Sequence, residues 1–213
     1  MNLSRKLLCI ATSFAFMGGA TAMDLHEDDQ RFLRKAAESG MLEIQASQLA
    51  IQKAEHAEVR SYAEMMVKDH SAADKELKSL ADRKGFVLPV ELEGDKLDLL
   101  NKLRELSGHD FEEEYVEEVA VDAHEEAVDL FEDAADDAKD PEVKAFAAKL
   151  LPKLQQHLEM GEKLDDKLDD LHDRDKRDSG KRDARRDAAT TPTPGQQEGA
   201  VVIPGTGTQP AQR

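Results

Sequence analysis

Residues 57–85 read AEVRSYAEMMVKDHSAADKELKSLADRKG. Within them Val59, Ala63, Met66, His70, Ala73, Leu77 and Leu80 recur in a strict four-three alternation. That spacing gathers side chains on one face of an α-helix, so the stretch predicts a helix with a buried face. Gly85 supplies the stop, because glycine is the residue that most readily turns the chain out of a helix end. One position on the inward face is not apolar: His70 stands where the pattern asks for a core residue.

The same periodicity extends in both directions. Upstream, a helix is expected from about Glu27 to Glu55 with Leu33, Ala36, Gly40, Ile44, Ser47, Ile51 and Ala54 inward, an unusually small face. Downstream, Pro89 and Gly94 interrupt the link from Gly85 to Asp110, which also holds a short amphipathic piece (Leu97, Leu100, Leu103, Leu106) before Gly108. Such a link is long enough to run along a bundle as a crossover. Asp110 is the expected N-cap of a third long helix to about Ala138, with Val116, Ala120, His124, Ala127, Phe131 and Ala134 inward. Asp140-Pro141 opens a fourth, since proline in the first turn costs no hydrogen bond. Its seam is Val143, Ala147, Leu150, Leu154, His157, Gly161, Leu164, Leu168 and Leu171, with Pro152 inside it. The fold class that follows is all-α: one antiparallel four-helix bundle over residues 23–172, with a crossover that contains a short helix.

The two ends read differently. Met1–Lys6 is polar and basic, Leu7–Met17 is an apolar block, and Ala20-Thr21-Ala22 is a small-x-small site, the pattern of a secretory signal peptide over 1–22 cleaved after Ala22. The apolar block is too short to cross a bilayer, whose hydrocarbon core takes roughly 20 helical residues. The expected location is therefore periplasmic or secreted, with no transmembrane segment in the mature chain. Cys9, the one cysteine, lies in the segment to be removed, which excludes disulfide, thiol and thiolate chemistry from the mature protein. Residues 173–213 form a tail, first charged and then rich in Pro, Thr and Gly, expected to be disordered from about Ser179.

With 46 acidic against 29 basic residues, the formal net charge is −17. A polyanion is a poor partner for nucleic acid or anionic lipid, both of which are held by basic side chains. Between Asp110 and Asp140 lie 15 acidic residues against the single Lys139. This is a solvated face first, and a weak cation surface or a dock for a basic envelope partner second. Oligomeric state is not legible.

Chemistry concentrates in the core. His70, His124 and His157 occupy inward positions on the second, third and fourth helices, and Glu43 lies beside the inward stripe of the first. Counted from the connection near His56, Glu43 and His70 stand at equal height; counted from Lys139, His124 and His157 differ by about one turn at ~1.5 Å per residue. One Glu and three His should converge on a central layer. A polar core layer in which Glu43 accepts hydrogen bonds is the plainest account. The alternatives are one divalent transition metal (Zn, Fe, Mn or Cu) held by Glu43, His70, His124 and His157, or another proton-linked role. The Glu-x-x-His pairs of dinuclear centres are absent, since Val67, Val121 and Leu154 precede these histidines by three. Asp69 and Asp122 are expected in solvent, as are His26, His56, His109 and His172 at helix ends.

The run Glu43–Leu49, Val59-x-x-Tyr62-Ala63-x-x-Met66-Val67-x-Asp69-His70, Lys84-Gly85-x-x-Leu88-Pro89, Phe111-x-x-x-Tyr115, His124 and Leu151-Pro152-x-Leu154-x-x-His157 together resemble a bacterial envelope family catalogued as domain of unknown function 4142. The resemblance spans about Asp24 to Leu164 and implies a ferritin-like bundle behind a signal peptide, with no established activity. Phe111-Glu112 departs from the Phe-Asp often found there. Three functions stay open: a binding or stress-related envelope protein, a metal-dependent oxidoreductase at the same residues, or an interaction module with a structural polar core.

Overall fold

The structure, a computed structural model, describes residues 25–190. The signal-peptide segment 1–22, Cys9 and the Pro/Thr-rich part of the tail lie outside the described residues. Six α-helices follow in order: α1 (Glu27–Lys53), α2 (Ala57–Lys84), α3 (Gly94–Glu105), α4 (Gly108–Tyr115), α5 (Ala123–Asp137) and α6 (Pro141–Thr190). A π-helical stretch, Val116–Asp122, joins α4 to α5, so these three pieces make the third long rod. The fold is the expected all-α four-helix bundle, with α3 in the crossover.

Local chemistry explains most boundaries. Acidic Glu27, Asp28 and Asp29 sit in the first turn of α1, where the helix dipole favours negative charge. Gly85 ends α2 in the left-handed conformation (φ 65°), its N–H returning to the Ala81 and Asp82 carbonyls. Asp140 caps α6, its Oδ1 accepting from the N–H groups of Glu142 (2.9 Å) and Val143 (3.3 Å). The third rod begins three residues earlier than expected, its N-cap being Ser107 rather than Asp110. Lys53 pins the crossover: its ammonium donates to the carbonyls of Leu103 (2.9 Å), Arg104 (2.6 Å) and Leu106 (2.6 Å) at the end of α3.

The chain divides into two units at Leu171. In the second unit, helix continues to Thr190, past Ser179 where disorder was expected. Loss of the apolar seam removes a packing face but not helix propensity, and Asp173/Arg177 are spaced for i,i+4 pairing.

Two apolar clusters fill the bundle, one above the other. One holds Ala46, Ala50, Tyr62, Met66, Tyr115, Ala120 and Leu164; the other holds Phe32, Leu33, Leu77, Phe131, Phe146 and Leu154. On each rod a polar residue marks the change of cluster: Glu43, His70, His124 and His157. The inward stripe of α1 falls on Leu42, Glu43, Ala46 and Ala50, while Ile44 and Ile51, expected to be core, are only partly buried.

At each end a buried carboxylate locks the opposite hairpin. Asp29 of α1 accepts from the N–H groups of Lys139 (3.0 Å) and Asp140 (2.8 Å) in the α5–α6 turn. Glu112 of α4 accepts from those of Glu55 (2.7 Å) and His56 (2.8 Å) in the α1–α2 turn.

Candidate metal centre

All four residues singled out in the sequence are buried, and they meet. His70 Nδ1 lies 2.6 Å from Glu43 Oε2, and His70 Nε2 lies 3.2 Å from His157 Nδ1. The three imidazole ring centres are 5.1–5.6 Å apart, and one nitrogen from each ring lies within 4.8 Å of the others.

Each ring is also tied from behind to an oxygen. His70 Nδ1 faces Glu43, His124 Nδ1 reaches the Val119 carbonyl at 2.9 Å, and His157 Nε2 reaches Asp69 Oδ2 at 3.2 Å. These acceptors fix the tautomers: a carbonyl or carboxylate oxygen can only accept, so each of those nitrogens donates. His70 Nε2, His124 Nε2 and His157 Nδ1 are left over. His157 then accepts from His70, which carries both protons and pairs with the Glu43 carboxylate.

The electrostatics agree with that assignment. Burial pushes the Glu43 carboxyl up, but the His70 charge and hydrogen bond, helped by His124 and the Ser39 hydroxyl, hold it down at about 2. Burial disfavours the His70 cation, yet Glu43 outweighs it and the pKa rises above its ordinary value. Burial lowers His124, and burial with the neighbouring His70 and His124 charges lowers His157 to about 4. The layer holds one ion pair and two neutral imidazoles.

One atom is left over. His124 Nε2 is fully buried with no hydrogen-bond partner. An orphaned buried acceptor costs about 1–3 kcal/mol, which a layer evolved only to fix helix register would avoid. A metal ion is the group this donor set fits. Two imidazole nitrogens bound to one tetrahedral zinc-like ion stand ~3.3 Å apart, close to the separation of the His70 and His157 nitrogens. Histidine ligands whose second nitrogen donates to a carboxylate or carbonyl are the usual construction of such sites.

Glu43, expected among the ligands, therefore stands behind His70, and the converging donors narrow to three histidines. Asp69 departs from the expectation of a solvated residue, although it does turn about 100° from His70 on α2. That turn aims it at α6, where it accepts from His157 and from Lys153 Nζ (2.8 Å). The signal was available in the Lys153/His157 spacing on α6, one helical turn apart. His56 is a second correction, partly buried with Nδ1 2.6 Å from Glu112 Oε2, and His172 is buried as well. Asp122 and His26 are exposed as expected.

The π stretch was missed, because its composition keeps helical periodicity. It delivers the Val119 carbonyl to His124, and π turns recur at functional sites. Tyr62 is the other unforeseen neighbour, its hydroxyl donating to the His157 carbonyl at 3.2 Å and more weakly to that of Ala120 at 3.4 Å. Burial drives its pKa far above the ordinary phenol value, so it stays a neutral donor.

Fold and layer together define an all-helical bundle protein with a buried three-histidine centre. The chain belongs to the family described as Domain of unknown function (DUF4142), which matches residues 16–164. Among solved structures it is similar to a DUF305 fragment from Deinococcus radiodurans, with 14% identity, 68% of this chain and 99% of that chain covered, and a TM-score of 0.59. It is also similar to CopM in the Cu(II)-bound form (18% identity, 65% and 96% covered, TM-score 0.55) and in the Cu(I)-bound form (20% identity, 64% and 94% covered, TM-score 0.54). At these identities the likeness is one of fold. No curated protein sequence matches the chain.

Proposed function

We propose that this is an exported protein that binds one transition-metal ion through His70, His124 and His157, with Glu43, the Val119 carbonyl and Asp69 orienting the three rings. The observation that carries this is the convergence of three buried imidazoles whose outer nitrogens are each tied to an oxygen while His124 Nε2 has no partner. Once a metal displaces the Nε2 proton of His70, the layer offers three neutral nitrogen donors without a thiolate, a set that suits Zn(II), Cu(II) or Fe(II). CopM, which shares the fold, is described in copper-bound and silver-bound forms, so copper is the first ion to try.

The test uses mature protein prepared from the cell envelope, whose N-terminus should be Met23, stripped with chelator and titrated with Cu(II) and Zn(II). One equivalent should bind, and the melting temperature should rise. Saturation at 1,000 times the dissociation constant adds about 4 kcal/mol. A His70→Ala, His124→Ala, His157→Ala variant that keeps its helical circular dichroism should do neither. Equal binding by parent and variant, or none by either, would defeat the proposal.

A further inference from the structure

The layer is not sealed. A cavity of about 50 Å³ borders it, and its lining includes Glu43, His70 and His157 of the layer together with Asp69, Asp74 and Lys153. The side chains of these last three reach solvent. The rest of the lining is mostly small or apolar, with Gly40 on α1 and Ala73 on α2. A Cβ added at Gly40, which lines the cavity, meets no atom within 4 Å.

Size and lining limit what can enter. A buried water needs roughly 10–15 Å³ of such volume, so there is room for a few small atoms and far too little for an aromatic ring. Three protein ligands leave a further coordination position for water or another ligand, as in sites where the bound ion exchanges its fourth partner. His70 and His157 both line the cavity, so a molecule inside it sits against two of the three donors.

We infer that this cavity binds a small exogenous metal ligand of two or three heavy atoms, of the azide or peroxide class. The inference rests on the metal reading above and adds that the centre is open to exchange. The small inner face of α1 thereby acquires a purpose, since Gly40 and Ala36 keep clear the space in which the ligand sits.

The experiment loads the protein with Cu(II), measures copper content, and then titrates azide while following the ligand-to-metal absorption. Two plugged variants, Gly40→Leu and Ala73→Val, are treated alike. The copper-loaded parent should develop an azide band; both plugs should keep one copper and bind azide at least tenfold more weakly. An unchanged azide response in both plugs, or none in a parent that holds copper, would overturn the inference. A parent that binds no copper would fail at the first step, and the metal reading would fall with it. Loss of copper from both plugs would also overturn it, because the cavity would then be part of the metal's own seat.

Discussion

His124 is the residue on which two accounts of the layer part. If the layer serves register alone, His124 is a poor choice, since its Nε2 is buried without a partner and burial lowers its pKa. If the layer holds a metal, that lone pair is its point. His124→Leu should therefore cost the metal-free protein no more than about 1–3 kcal/mol in urea unfolding, the cost of taking the imidazole donor from the Val119 carbonyl. The same variant should show no melting shift with Cu(II) or Zn(II). A larger loss in the metal-free state would instead make His124 structural. The three histidines were legible because each interrupts an apolar stripe, and Glu43 because it lies beside one at the height of His70. The oxygens behind the rings were not, because Asp69 and the Val119 carbonyl act on a ring by reaching another helix or a distorted turn, which periodicity does not encode.

Among the elements, the sharpest contrast is between two glycines in helix interiors. At Gly40 an added methyl meets no atom within 4 Å, so Gly40→Ala should stabilise by roughly 0.5–1 kcal/mol through helix propensity. At Gly161 the same methyl collides with the Ala120 carbonyl oxygen and lies 2.8 Å from the carbonyl carbon, backbone that cannot yield. Gly161→Ala should destabilise by about 1–3 kcal/mol, and equal effects at both sites in thermal unfolding would contradict the packing of α6 on the π stretch. Helix spans were largely legible; α2 begins and ends where its alternation and Gly85 place it. The depth count was coarser, putting His157 three residues farther from Lys139 than His124 is. Side chains lean toward their helix N-terminus, so His124 leans away from that turn and His157 toward it, and the rings meet despite the offset.

Over the whole molecule, the bundle is held at both ends by the same device, a buried carboxylate near the start of one hairpin holding the turn of the other. Asp29→Ala and Glu112→Ala each remove two charge-assisted hydrogen bonds to backbone N–H groups, and each should cost about 2–3 kcal/mol. Because they sit at opposite ends, the double variant should lose close to the sum. A loss below 0.5 kcal/mol from either would show that the turns hold themselves. No helix among the described residues is long and apolar enough to cross a membrane. The acidic composition that argued against nucleic acid is carried mainly by the outer faces, while inside the bundle the two hairpins converge on three imidazoles.

The most direct test is a crystal of chelator-stripped protein soaked in Cu(II), with anomalous data collected at the copper edge. The account predicts one strong peak in the core, ~2.0–2.1 Å from His70 Nε2, His124 Nε2 and His157 Nδ1, with Glu43 still bonded to His70 Nδ1. An empty layer, with copper only on the acidic outer face of α4 and α5, would contradict it.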